Sequence, residues 1–278
     1  MASGPLITAV QLADELAGSG APTVLDCRWD LAGGADRAGY DDGHLPGAVF
    51  VDLDRELAGP PGAGGRHPLP EAGAFQAAMR RAGVRQDRPV VAYDQGQPGG
   101  AARAWWLLGW FGHPDVRVLD GGLPAWVAAG LPLTTEFPAP APGDFVARPG
   151  GRAVVDADGA ARLAANGVLL DVRAAPRYQG LEEPVDPVAG HIPGARNAPL
   201  TDFVDDHGLV PTARLRELLE GHGVGAGTPA GAYCGSGVAA AHAVLALEVA
   251  GVPAALYVGS WSDWITDPSR PVTTGPTP

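Results

Sequence analysis

Short, continuously apolar runs alternate along the chain with longer amphipathic or alanine-rich stretches. The runs 24–26, 90–93, 116–119, 168–171, 231–233 and 255–258 are bounded by turn signals. Continuous rather than alternating apolarity predicts strands buried on both faces, the pattern of a parallel sheet between helical layers. The stretches 8–16, 75–82, 101–110, 156–165, 212–219 and 238–249 carry the spacing or composition of helices. The expected class is therefore α/β. In such sheets the functional loops follow the carboxyl ends of the strands, where Asp26, Asp94, Asp171 and Cys234 fall.

The pattern is written twice. Leu25-Asp26-Cys27-Arg28 is answered by Leu170-Asp171-Val172-Arg173, and Gly43-His44-Leu45-Pro46-Gly47-Ala48 by Gly190-His191-Ile192-Pro193-Gly194-Ala195. Ala92-Tyr93-Asp94 is answered by Ala232-Tyr233-Cys234, and Asp120-Gly121-Gly122 with Trp126 by Val258-Gly259-Ser260 with Trp264. Four matches in one order imply duplication of a whole domain rather than a solenoid. The stretch 132–152 holds Pro132, Pro138, Pro140, Pro142 and Pro149, which reads as a stiff connector. The expected domains are residues 1–140 and 141–278.

Composition narrows the partners. The net charge is −12 and all 19 basic residues are arginine, so there is no broad cationic face for nucleic acid. An anionic substrate would be drawn in locally, by arginines or backbone amides. The start of the chain has no basic region ahead of an apolar core, and no apolar run reaches membrane-spanning length. With two cysteines and no sign of secretion, a reduced, cytoplasmic setting is expected. No metal-ligand spacing is present, and neither metal nor organic cofactor is expected.

The chemistry concentrates at Cys234. An apolar run over 224–233 ends in this thiol, and Gly235-Ser236-Gly237 leads into an alanine-rich helical stretch. A thiol at such a strand–loop–helix junction faces backbone N–H groups and a helix N-terminus, which favour thiolate. Asp94 holds the matched position in the first copy, so that copy is expected to be silent. Cys27 reads as structural, since Val172 replaces it in the second copy. A phosphatase loop would need an arginine at C-x5-R spacing, where this chain has Ala240. A protease would need a positioned base. His44 and His191, each inside the repeated Gly-His motif, read first as fold elements. Arg28 and Arg173 read as partners of the strand-end acids, and the Trp105, Trp106 and Trp110 cluster as packing. The loop 65–70, Gly-Arg-His-Pro-Leu-Pro, has basic character, and an approach to the cleft between the copies is the lesser reading of it.

Taken together, the doubled Asp-x-Arg, the doubled Gly-His-x-Pro-Gly-Ala, the strand-end Cys loop and the Asp-Gly-Gly…Trp and Gly-Ser-Trp…Trp pair resemble tandem rhodanese-type sulfurtransferases over about residues 8–272. The resemblance implies two α/β domains, each a mainly parallel sheet with helices on both faces. It implies that Cys234 takes sulfane sulfur from a small anionic donor as a persulfide and gives it to a thiophilic acceptor, a small thiol or thioredoxin-like protein. Arg177 matches the substrate-binding arginine, and Gly235, Ser236, Gly237, Val238 and Ala239 the amide cradle. Ser236 would belong to a relay with His44 and with Asp36 as the nearest acid, and Trp29 could wall the pocket. The donor is divided. Cys234 to Val238 match the 3-mercaptopyruvate type, with Ala239 in place of threonine. Asp186, however, stands where that type carries a second arginine. The expectation is thiosulfate, with 3-mercaptopyruvate as the alternative and a non-catalytic persulfide carrier as a further one.

Overall fold

The computed structural model describes residues 4–96 and 99–278; the first three residues of the chain, weighed above for a leader, lie outside the described residues. The backbone divides into two compact units. The first comprises Met1–Gly59, Leu69–Arg152 and Asp206–Gly208, and the second Pro60–Pro68, Ala153–Asp205 and Leu209–Pro278.

In the first unit the strands Leu6–Ile7, Val116–Leu119, Val90–Tyr93, Thr23–Asp26 and Val49–Phe50 form one sheet in that spatial order, every pair parallel. In the second unit Val154–Val155, Ala254–Tyr257, Ala230–Tyr233, Val168–Asp171 and Arg196–Asn197 repeat that order, again all parallel. The central strands Val90–Tyr93, Val168–Asp171 and Ala230–Tyr233 are buried at every position. Successive strand side chains point to opposite faces, so this burial requires cover on both. In the first unit Val91 and Tyr93 join Leu12, Leu45, Leu119 and Trp126 on one face. Val90 and Ala92 turn to the other, toward the helix Gly100–Trp110 that packs on this strand. In the second, Leu169, Tyr233 and Tyr257 meet Ala160, Ile192, Trp261 and Trp264 on one face. The helix Val238–Ala250 packs against Ala230–Tyr233 and Ala254–Tyr257 and buries most of its surface.

The duplicated motifs are the braces of the two sheets. Arg28 forks onto Asp26 at 2.8 Å and donates to the Gly43 carbonyl at 2.9 Å. Arg173 does the same with Asp171 at 2.6 Å and the Gly190 carbonyl at 2.7 Å. His44 Nδ1 lies 2.8 Å from the Tyr40 carbonyl oxygen and Nε2 3.2 Å from that of Glu136, and its ring stacks on Tyr40 at 3.9 Å. His191 bonds the Tyr178 carbonyl and stacks on Tyr178 at 3.7 Å. Each histidine also pairs its backbone with a returning segment, His44 with Thr134 and His191 with Thr273. Rings so tied hold the Gly-His turn in place.

Two expectations need correction. The proline-rich connector is no free linker, and the division falls after Arg152 rather than at 140. Backbone bonds run from Gly143 to Arg80, Phe145 to Val84, Arg148 to Phe111 and Gly151 to Trp110, and Phe145 is fully buried. Arg152 lies over the Trp105 ring at 3.7 Å. The segment thus completes the first unit, whose core needs its aromatic side chain. The second correction concerns Pro60–Pro68, which belongs to the second unit although its sequence lies in the first half. The Arg66 N–H donates to Ser262 Oγ at 3.1 Å, which fastens this loop to the second unit, and the Ala63 carbonyl lies 3.5 Å from the Thr266 hydroxyl.

Candidate active site at the Cys234 loop

Strand Ala230–Tyr233 delivers Cys234 to the carboxyl end of the second sheet, and the loop after it is held by the turn that follows Ala254–Tyr257. The Cys234 N–H donates to Ser260 Oγ at 3.1 Å, the Trp261 N–H to the Cys234 carbonyl at 3.0 Å, and the Ser262 N–H to the Gly235 carbonyl at 2.9 Å. Ser260 pays for this with a left-handed backbone, φ +53°; such strain persists where surrounding structure over-determines it. Gly237 also takes the left-handed region, φ +79°, and a Cβ there would fall 2.2 Å from the Val258 carbonyl. Only glycine fits. Its N–H points at the sulfur, 3.1 Å from Cys234 Sγ, just where the helix Val238–Ala250 begins. Cys234 is buried, and its sulfur accepts from the Gly237 N–H. Cys27 differs: it is fully buried, and burial, with Asp26, Asp94 and Glu56 nearby, pushes its thiol well above the ordinary range.

The Pro60–Pro68 loop lays two functional groups over this turn. His67 Nδ1 lies 2.7 Å from Ser236 Oγ. The Arg66 guanidinium reaches Gly235, where an added Cβ would meet its Nη2 at 2.7 Å and the Arg177 Nη2 at 3.7 Å. Arg177 is gripped by Glu183, Nη2 to Oε1 at 2.5 Å and Nε to Oε2 at 3.1 Å, and touches Asp186 Oδ2 at 3.3 Å. The other Asp186 oxygen, Oδ1, pairs with Arg66 Nη1. Burial raises the Asp186 carboxyl above its usual range, with Glu183 adding to the rise against the pull of Arg66 and Arg177. Glu183 is also desolvated, yet its bonds from Arg177, Asp186 and Val185 hold it below the usual range.

Of the residues singled out in the sequence, Arg177, Gly235, Ser236 and Gly237 gather around Cys234, and Val238 opens the helix behind them with Ala239 next in it. His44, Asp36 and Trp29 belong to the first unit, and each has partners there. His44 is buried with both ring nitrogens on carbonyls. Asp36 caps the helix Arg37–Asp42 by accepting from the Gly39 N–H. The Trp29 indole donates to Asp54. The histidine that meets Ser236 is His67, on the basic loop 65–70; its signal in the sequence is a ring and a cation side by side between Gly65 and Pro68. In the first unit Asp94 occupies the matched loop: it accepts from the Gly96 and Ala101 N–H groups, and burial pushes its carboxyl up to about 7. The amides there are satisfied by the chain's own side chain.

A strand-end thiol that accepts from a backbone N–H, with two guanidiniums at the next residue and a His–Ser pair beside it, can receive an anion and hold a charged sulfur. A domain model described as "Rhodanese-like domain" matches residues 8–129 and 156–267, and the chain belongs to this family. It is a tandem-domain sulfurtransferase. It is 48% identical to a protein of Pseudomonas aeruginosa named "Probable 3-mercaptopyruvate sulfurtransferase", over 99% of this chain and 100% of the relative. It is 47% identical, over 97% of both chains, to SseB of Mycobacterium tuberculosis, provisionally named a thiosulfate sulfurtransferase. The crystal structure of SseA from Escherichia coli, a 3-mercaptopyruvate sulfurtransferase, superposes with a TM-score of 0.81 at 34% identity, covering 94% of this chain and 100% of that one. The comparisons thus weigh toward the 3-mercaptopyruvate alternative rather than the thiosulfate expected from the sequence.

Proposed function

We propose that the second unit moves sulfur from 3-mercaptopyruvate through a Cys234 persulfide to a small thiol or thioredoxin-like acceptor, and that the first unit is catalytically silent. The observation that carries this donor is the 2.7 Å contact between His67 Nδ1 and Ser236 Oγ at the Cys loop. The Cys234 thiolate attacks the donor sulfur and forms the S–S bond. The donor's C–S bond breaks, its electron pair stays on carbon, and the enolate of pyruvate leaves. That leaving group needs a proton or a hydrogen bond to its oxygen, which a His–Ser pair can supply. Thiosulfate releases sulfite, a stable anion that needs neither, so a proton-handling pair has work to do only with the keto acid. The persulfide is then held by the Gly237 N–H and its neighbours in the loop. A thiol acceptor attacks the outer sulfur and returns Cys234 as thiolate. Two free cysteines, and no helix among the described residues long and apolar enough to cross a membrane, suit a reducing cytoplasmic setting.

Side-by-side assays test the reading. Cys234→Ser abolishes turnover with either donor. His67→Gln and Ser236→Ala lower kcat with 3-mercaptopyruvate about 10²-fold or more, the scale of a lost acid–base group, and leave thiosulfate turnover within a few-fold. A wild-type enzyme with the higher kcat/KM for thiosulfate overturns the donor assignment.

A further inference from the structure

We infer that Glu183 is a positioning residue of the site: it ties Arg177 to Arg173, the arginine that braces the second sheet, and so carries the fixed geometry of that sheet out to the loop. The inference rests on the sulfurtransferase reading above and deepens it, by assigning a residue that acts only through another.

The Glu183 side chain is 4% exposed, and its two oxygens accept from two arginines and two backbone N–H groups. Oε1 accepts from Arg177 Nη2 at 2.5 Å and from the N–H groups of Val185 and Asp186, each at 3.1 Å. Oε2 accepts from Arg177 Nε at 3.1 Å and from Arg173 Nη1 at 3.3 Å. The fork on Arg177 is bidentate, which sets the direction of a guanidinium as well as neutralising it. The two backbone bonds wrap the chain around the carboxylate, with Pro184 inside the turn, so Glu183 is itself held. A carboxylate this buried would be costly alone; its donors outweigh the desolvation and keep it ionised.

The far end of the tie is anchored without help from Glu183. Arg173 forks onto Asp171, donates to the Gly190 carbonyl and lies 4.7 Å over the Trp261 ring. The Trp261 N–H in turn donates to the Cys234 carbonyl. Arg177 has no such seat. It stands in the four-residue helix Ala175–Tyr178, and its ion pairs among the described residues are with Glu183 and Asp186 alone. The first unit serves as an internal control. Arg28 makes the same fork on Asp26 and the same bond to a glycine carbonyl, yet pairs with no second carboxylate among the described residues. Both copies therefore have the brace, and the copy with the thiol adds the acid that extends it. An acid needed only to brace the Gly-His turn would be needed in both.

The experiment is a double-mutant cycle on Glu183 and Arg177. Glu183→Gln keeps the size of the side chain, removes its charge and turns a donor toward the guanidiniums. KM for 3-mercaptopyruvate rises about tenfold or more, the scale of one charged hydrogen bond, while kcat at saturation stays within a few-fold. Glu183→Asp, which keeps the charge on a shorter arm, recovers part of the loss, and it replaces Glu183→Gln in the cycle if that variant does not fold. Arg177→Met raises KM at least as far. In the Arg177→Met background the Glu183 change then moves KM by less than about twofold, because the side chain it acts through is gone. A Glu183 that served the fold alone would raise KM by the same factor in both backgrounds, and that result overturns the inference. Unchanged KM in a Glu183→Gln or Arg177→Met enzyme that matches the wild type by circular dichroism overturns it as well. If thiosulfate is the better donor, the cycle is read on its KM and only the donor assignment fails. If neither donor turns over, the sulfurtransferase reading fails and the cycle is read on Cys234 alkylation. The ratio of the iodoacetate to the iodoacetamide rate then falls in Glu183→Gln only while Arg177 is present, since only the anionic reagent feels the guanidinium; a fall without Arg177 overturns the inference.

Discussion

At the scale of single residues, the matched positions 94 and 234 show how one loop is used twice. In the second unit the loop's amide meets a sulfur and two guanidiniums stand over it; in the first, Asp94 takes two N–H groups for itself. This has a measurable electrostatic consequence. Burial lifts the folded-state pKa of Asp94 to about 7, above the ordinary value of 3.8. The folded chain therefore holds this proton more tightly than the unfolded chain does. The contribution is full below about pH 4 and is lost as pH rises through about 7. Asp94→Asn keeps an acceptor and cannot ionise, so it gains stability over the wild type at pH 8, by about 1–3 kcal/mol after allowing for a weakened hydrogen bond. At pH 4–5 the gain disappears; thermal melts at the two pH values check this. The sequence made Cys234 legible because a thiol before Gly-Ser-Gly at a strand end has few other uses. His67 was hidden for the opposite reason. The motif-borne His44 and His191 drew attention by repeating, and they repeat because both sheets need the same turn braced. Residues found in one copy only, Arg66, His67, Arg177 and Cys234, are those that meet at the loop.

At the scale of elements, long periodic stretches were readable and short pieces were not. The helices expected over 101–110 and 238–249 appear as Gly100–Trp110 and Val238–Ala250. The edge strands Leu6–Ile7, Val49–Phe50, Val154–Val155 and Arg196–Asn197 are two residues long, too short for any period to register. They are strands because a neighbour offers a ladder, a tertiary fact. The proline-rich segment misled in the same way: its composition forbids helix, but not an extended path along a surface that needs a cover. Phe145 shows that the cover is structural, since its ring meets Phe75 edge-on at 6.1 Å and is wholly buried. Phe145→Ala is expected to lower the stability of the first unit by about 3–5 kcal/mol, read from urea melts. A loss below about 1 kcal/mol would return the segment to the status of a linker.

At the scale of the whole molecule, duplication gives two sheets of identical order, and the candidate site at Cys234 lies at the second. The two units are not consecutive in sequence: Pro60–Pro68 is counted with the second and Asp206–Gly208 with the first. A fragment of residues 153–278 would therefore carry Cys234 and Arg177 without Arg66 or His67. We expect it to form persulfide from 3-mercaptopyruvate in a single turnover at least about 10²-fold more slowly than the full chain, the cost of the missing acid–base group. A fragment as fast as the whole would remove the loop from the chemistry. The loop's membership also bears on descent. Arg66 and His67 are encoded well ahead of the sulfur itself, so recombination at the midpoint would part Cys234 from them while leaving it Arg177. A module copied whole has thus come to draw part of its loop from its sibling's half of the sequence.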